Sequence, residues 1–329
     1  MEPTFTVGSR VMLFSGKSEE VMASFPTGSV DAVITDPPYS IGLGGHAWDV
    51  HDDFERWSEI WAAQALRVLK PGGHLLSFCA TRTYHRMAAG VEDAGFEVRD
   101  MLSWMYGSGF PKSTDLGDGW GTALKPAQEP IVLARKPLAE RTARENLERH
   151  GVGGYNIDDS RIPVPAGELK ASSAGRDQLL KASVSSPVEI PDVPGVSGGG
   201  FLTLPAVDVI PSDDGRWPTN VIIDEEATAV FDEQFRGSWR FFYCAKPTAS
   251  ERTAGLEGGN PHDTVKPVAL MSYLIGLVTP AGGVVLDPFM GSGSTGVAAV
   301  LGGFRFLGID KDPEFVTVSR DRIQHVAGA

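Results

Sequence analysis

The run Val30-Asp31-Ala32-Val33-Ile34-Thr35 leads into Asp36-Pro37-Pro38-Tyr39, and this junction constrains the chain more than any other stretch. Its first half is apolar and rich in β-branched residues, the pattern of a buried strand. Its second half cannot continue one. Proline carries no N–H and fixes φ, so two in succession end the ladder and stiffen the turn that follows. The Asp36 carboxylate is thereby placed at the carboxyl end of a strand, where open α/β sheets hold their ligands. A rigid turn accounts for the prolines. It does not account for the acid and the aromatic on either side of them.

A second block lies far downstream. Gly283-Val284-Val285-Leu286 reads as a strand, and Asp287-Pro288-Phe289-Met290-Gly291-Ser292-Gly293-Ser294-Thr295-Gly296 reads as a glycine-rich turn opening a helix. Glycine lets a backbone approach a ligand closely and adopt positive φ. Phe304 to Ile309 reads as the next strand, ending in Asp310, an acid able to accept hydrogen bonds from a ribose. Gly291, Gly293 and Gly296 with Asp310 also fit the dinucleotide fingerprint, so a nicotinamide enzyme stays open on this block alone. Such an enzyme normally opens with its glycine turn. Here the turn comes late, and the Asp-Pro-Pro-Tyr block would be left without a role.

Residues 36–39 resemble the Asp-Pro-Pro-Tyr signature of the DNA amino-methyltransferases, which methylate exocyclic amino groups of adenine or cytosine. Asp287 to Thr295 resembles that family's S-adenosylmethionine motif. The order of the two blocks is similar to the beta-ordered class, and Gly107-Ser108-Gly109-Phe110-Pro111-Lys112-Ser113 resembles a string in its phage-type members.

The resemblance implies an α/β fold: a doubly wound, mostly parallel, Rossmann-like methyltransferase sheet with an inserted target-recognition region. Residues 1–136 would form the catalytic half, 137–250 the insertion and 251–329 the cofactor-binding half. Asp36, Pro37, Pro38 and Tyr39 are the implied catalytic residues. Asp36 and the Pro37 carbonyl would take the two amino hydrogens, and Tyr39 would stack on the base. Asp287, Pro288, Phe289, Gly291, Ser292, Gly293 and Thr295 would surround S-adenosyl-L-methionine, with Asp310 on its ribose. Core packing explains Phe289 equally well.

His262-Asp263-Thr264-Val265-Lys266-Pro267 resembles the family's block before the cofactor strand, where Thr264 and Lys266 approach the methionine carboxylate. Asp263 stands where the family usually has proline. Lys17 stands where it often has an acid. An acid at the first signature position is more typical of adenine enzymes, so N6 of adenine is the expected target. Cytosine N4 is the alternative, as is a DNA-binding protein that keeps the fold without turnover. Double-stranded DNA is the implied partner, with a homodimer and a companion restriction nuclease as further expectations.

Between the two blocks, strands and helices alternate. Asp53 to Leu69 carries Phe54, Trp57, Ile60, Trp61, Ala65, Leu66 and Leu69 at helical spacing, a core-facing stripe. Lys70-Pro71-Gly72-Gly73 marks its end. His74 to Cys79, Phe96 to Tyr106 and Pro130 to Lys136 read as strands, and Tyr84 to Ala94 as a helix. Such alternation gives a parallel-rich sheet covered on both faces. Glu140 to His150 reads as a self-neutralising helix pairing Glu140 with Arg144 and Glu145 with Arg149.

Pro163 to Gly215 lacks periodicity and suggests a functional loop or a disordered insert. Arg236, Arg240, Phe241, Phe242, Tyr243 and Lys246 mix cations with aromatics, which suits a nucleic-acid groove and suits an apolar-faced strand as well. Lys112 is a candidate for phosphate contact or a solvated loop lysine. The net charge of −13 points away from a globally basic protein, so any grip on phosphate has to come from a local surface. Cys79 and Cys244 are too few for a disulfide framework or a metal cluster, and a reducing cytoplasm is expected. Neither a membrane-length apolar run nor a secretion signal is visible.

Overall fold

The computed structural model describes residues 1–107, 109, 113–162, 216–224 and 242–328. Lys112, Arg236, Arg240, Phe241 and the 163–215 segment lie outside the described residues. Twelve strands are described. They are β1 (Phe5–Val7), β2 (Val11–Ser15), β3 (Val30–Thr35), β4 (Leu69–Phe78), β5 (Glu97–Met105), β6 (Asp115–Gly117) and β7 (Trp120–Gly121). β8 (Gln128–Arg135), β9 (Val221–Ile223), β10 (Phe242–Tyr243), β11 (Val284–Asp287) and β12 (Arg305–Asp310) complete the set.

All but the small β6–β7 hairpin join one ten-stranded sheet, ordered β1-β2-β12-β11-β3-β4-β8-β5-β9-β10. β1 against β2, and β8 against both β4 and β5, are antiparallel. The remaining pairings are parallel, so the sheet is mostly parallel as expected.

Helices cover both faces. α1 (Ser18–Met22), α2 (Phe54–Val68) and α3 (Tyr84–Asp93) pack on one side. After α4 (Ala143–His150) and α5 (Ala249–Thr253), the helices α6 (Val268–Val278), α7 (Ser294–Leu301) and α8 (Pro313–Ala327) pack on the other. β3 shows why its sequence is apolar throughout. Ala32 and Ile34 join the cluster under α6, while Val33 joins the cluster under α2.

β3 and β11 lie far apart in the chain yet side by side in the sheet, with Val285 opposite Ala32 and Leu286 opposite Val33. Buried carboxylates fasten both ends of the pair. Asp31 accepts the Val284 N–H at 2.7 Å and the Lys70 ammonium at 2.6 Å. At the other end the Thr35 hydroxyl donates to Asp287 at 2.7 Å. A buried carboxylate is tolerated only where donors replace its water, so these bonds define the register as well as hold it.

Three local expectations are corrected. The helix stop at Lys70–Gly73 is drawn into β4, because Gly72 adopts φ +82° and the strand bulges between the Val30–Leu69 and Ala32–His74 pairs. Ile60, expected in the core, is 44% exposed at the edge of the α2 stripe. On α4, Glu145 does not pair with Arg149; it closes a capping box with Thr142, and Arg149 reaches back to Glu140 at 2.9 Å. Among the described residues, no helix is long and apolar enough to cross a membrane, and no cluster of His, Cys, Asp or Glu is arranged to hold a metal.

Candidate active site

A cavity of about 320 Å³ opens over the carboxyl ends of β2, β12, β11 and β3. Its size falls within the range of small-molecule sites. Asp36, Pro37, Pro38 and Tyr39 line one part, and Pro288, Phe289, Gly291 and Asp310 line another. The two remote sequence blocks therefore share one cavity.

The glycine turn is built from beneath. Asp287 is buried and accepts the Thr35 hydroxyl, the Thr295 hydroxyl at 2.5 Å and the Phe289 N–H at 3.1 Å. Burial pushes its carboxyl up to about 7, against the pull of those donors. Ser292 faces away from the cavity: its carbonyl and hydroxyl oxygens accept from Arg322 of α8 at 2.7 and 3.2 Å. Gly293 starts α7 at φ +81° with its α-carbon against Ser319.

Gly291 is the residue that needs to be glycine for the site itself. Its φ is +49°, and a Cβ there would lie 2.5 Å from Nε2 of His262. Its N–H donates to Asp310 at 2.9 Å. Burial raises the Asp310 carboxyl to about 6, while the N–H groups of Asp312 and Gly291 hold it down. Burial, with Lys266 next, lowers His262 to about 4, so its ring is neutral near pH 7. Phe289 meets both of its sequence readings: it lines the cavity and packs with ring centroids 5.4 Å from Trp57 and from Trp61.

At the β3 end, four side chains from three chain segments meet. The Tyr39 hydroxyl donates to Asp36 Oδ1 at 2.5 Å and lies 3.2 Å from Glu129 of β8. The Lys266 ammonium donates to Asp36 Oδ2, and lies 3.2 Å from the Tyr39 oxygen and 3.4 Å from Glu129. Burial alone would lower the Lys266 pKa, but Asp36 and Glu129 outweigh it and hold it above the ordinary lysine value. Burial and Asp36 hold the Tyr39 phenol well above its ordinary value, so it stays a neutral donor.

Asp49 shapes the turn behind. It is buried, and its carboxylate accepts four main-chain N–H groups: Tyr39 at 2.7 Å, Ser40 at 2.8 Å, Ile41 at 3.1 Å and Leu43 at 2.7 Å.

The DNA methylase family model, that of the N6- and N4-methylating enzymes, matches residues 30–321 of this chain. The chain belongs to this DNA methylase family. The Type II methyltransferase M.HindIII of Haemophilus influenzae is 23% identical over 288 residues, covering 82% of this chain and 69% of that protein. M.HpaI of Haemophilus parainfluenzae is 22% identical over 318 residues, covering 94% of this chain and 73% of its own. In fold, the methylase is similar to the cytosine-N4-specific PvuII DNA methyltransferase, with a TM-score of 0.59, 15% identity, and coverage of 98% of this chain and 88% of the other. It is also similar to the Thermus thermophilus protein TTHA0409, with a TM-score of 0.51, 19% identity and 97% coverage of both chains.

The remaining sequence candidates in the methylase fall as follows. Thr264 lines the cavity, and its N–H donates to His262 Nδ1 at 3.3 Å. Lys266, carried over as a cofactor residue, has its ammonium on Asp36 and Glu129. Lys246 sits 3.8 Å from the centroid of the Tyr106 ring. Lys17 pairs with Glu20 at 3.3 Å, and Glu19 lines the cavity beside it. The acid absent from position 17 is thus available two residues on. Asp263 lies 3.5 Å from His46, whose ring stacks on Trp48 at the cavity wall.

Sequence reasoning missed Glu129, Asp49, Thr35 and His262 as site residues. Glu129 carried one signal, an acid at the head of an apolar strand. Asp49 carried none, because a loop aspartate looks ordinary until its backbone partners are known.

Proposed function

We propose that this methylase transfers a methyl group from S-adenosylmethionine to the exocyclic N6 amino group of adenine in double-stranded DNA. The observation that carries the reading is the Asp36 carboxylate, held by Tyr39 and Lys266 at the edge of a cavity whose other wall is the Gly291 turn.

The cavity's residues fit the methyl donor. Gly291 and the His262 ring packed against it form one wall, Asp310 offers carboxylate oxygens, and Phe289 with Trp57 offers an aromatic wall. When bound, S-adenosylmethionine supplies an electrophilic methyl group on a sulfonium. The protein's task is to present a poor nucleophile correctly, since the amino lone pair is delocalised into the base. Asp36 and the Pro37 carbonyl accept the two amino hydrogens and turn the lone pair toward the methyl. This is catalysis by positioning and by stabilising the positive charge that grows on nitrogen. Tyr39 offers its ring to the base. Reaching that nitrogen requires extruding the nucleotide from the duplex, which costs a few kcal/mol, roughly. Asp36 itself supports adenine over cytosine, because in the family an acid at this position is more typical of adenine enzymes.

Transfer of tritiated methyl groups to unmodified DNA, followed by hydrolysis and chromatography of the bases, tests both levels. Label in N6-methyladenine is expected. Label in N4-methylcytosine would overturn the adenine assignment, and label in neither base would overturn the function. Asp36→Ala should slow transfer by at least about 10²-fold while S-adenosylmethionine still binds.

A further inference from the structure

Both oxygens of the Asp36 carboxylate are taken by the protein's own donors. Oδ1 accepts the Tyr39 hydroxyl and Oδ2 accepts the Lys266 ammonium. On the reading above, the same carboxylate has to accept a hydrogen from the target amino group. A carboxylate oxygen can accept more than one hydrogen, but the ammonium and the hydroxyl compete with the amino group for the same negative charge. The amino group gains most if one of them draws back as the base arrives.

Lys266 is the donor that most needs a second partner. Its side chain is 8% exposed, and a buried cation stripped of its counter-ion is strongly destabilising. Glu129 answers that need. Its Oε2 lies 3.4 Å from the ammonium and 3.2 Å from the Tyr39 hydroxyl, close enough to take either donor with a small movement. It also comes from the opposite side. β8 pairs with β4 on the flank away from β3, so Glu129 reaches the cluster without standing between Asp36 and the cavity.

We infer that Glu129 is a positioning residue for methyl transfer, receiving the Lys266 ammonium when the target amino group displaces it from Asp36. The inference rests on the proposed function. The exchange moves no proton. Lys266 stays a cation, both carboxylates stay anions, and Tyr39 stays neutral. Two carboxylates and one ammonium leave the cluster with one surplus negative charge. That charge faces the nitrogen as it becomes positive, where a fixed opposite charge does most for the rate. A cluster lacking the Glu129 charge would be neutral, and its ammonium would stay drawn to the carboxylate that the base requires.

Glu129→Gln tests this directly, since the amide keeps the shape and removes the charge. At saturating DNA and methyl donor, kcat should fall by about 100-fold. The KM for DNA and the dissociation constant for S-adenosylmethionine should stay within about threefold of wild type. The melting temperature should hardly change, because the Asp36–Lys266 pair survives in the free enzyme. In a Lys266→Met background there is no ammonium to receive, so Glu129→Gln should then cost far less than it does alone.

A Glu129→Gln enzyme with near wild-type kcat would overturn the inference while leaving the function intact. So would a loss of rate that travels with equal losses of cofactor affinity and thermal stability, which would mark Glu129 as a structural counter-ion only. Full additivity with Lys266→Met would overturn it as well. A wild-type protein that transfers no methyl group to DNA would overturn the function and this inference together.

Discussion

Replacing Thr35 by valine should loosen the joint between the two halves of the site, and the loss should depend on pH. Thr35 is fully buried and Asp287 is 2% exposed. Valine matches threonine in shape, so no cavity opens and the change isolates the hydroxyl. A hydrogen bond to a charged group contributes about 1.5–3 kcal/mol net. Asp287 keeps the Thr295 hydroxyl and the Phe289 N–H, so it is not orphaned. A loss of about 2 kcal/mol is therefore expected when Asp287 is ionised.

The folded-state pKa of Asp287 is about 7, above its ordinary value of 3.8. The native state thus binds this proton more tightly than the unfolded chain does. The stability that comes with it is complete below about pH 4 and is lost as pH rises through about 7. At about pH 5.5 the native carboxyl is mostly protonated, and the Thr35 bond becomes a neutral one contributing about 1 kcal/mol. Urea unfolding of both proteins, followed by tryptophan fluorescence at about pH 5.5 and about pH 8.5, measures the difference. Other titrating groups are common to the two proteins and cancel. A loss under about 0.5 kcal/mol at the higher pH, or one that does not shrink at the lower, would refute the reasoning.

Three further outcomes are expected. Gly291→Ala places a methyl group 2.5 Å from His262 at a φ of +49°, which costs an alanine about 1–2 kcal/mol before the ring moves. Calorimetry should show S-adenosylmethionine affinity lowered by at least about tenfold, and an unchanged affinity would exclude contact between the methyl donor and the wall made by this turn and His262. Asp310 accepts hydrogen bonds best when ionised, so the same affinity should rise with pH through about 6 and then level off. A flat profile from pH-dependent equilibrium dialysis would remove Asp310 from the ribose. Asp49→Asn leaves one carbonyl oxygen where two carboxylate oxygens accepted four N–H groups, at a cost on the order of 2 kcal/mol to the turn. Limited proteolysis should then cut faster within residues 40–46, and an unaltered cleavage pattern would count against that role.

The signals that could be read along the chain are those that act over a few residues. The two prolines after Asp36 end β3 wherever β3 lies, and the glycines from 291 to 296 make a strand-to-helix turn in any context. Apolar spacing marked α2, apolar runs marked the inner strands, and the order of the two motifs pointed to the family. Lys70–Gly73 misled because a helix stop and a strand bulge use the same residues, and only pairing with β3 tells them apart.

What the tertiary structure alone decided is which charges meet. Lys266 stands 230 positions from Asp36 and 137 from Glu129, and no local pattern couples them. Their meeting depends on the strand order that sets β3 between β11 and β4 and brings β8 alongside. Asp287 likewise owes its Thr35 donor to that order. The physical reason is range: backbone preferences are settled among near neighbours, whereas a buried charge takes whatever partner the packed sheet delivers, from any distance along the chain.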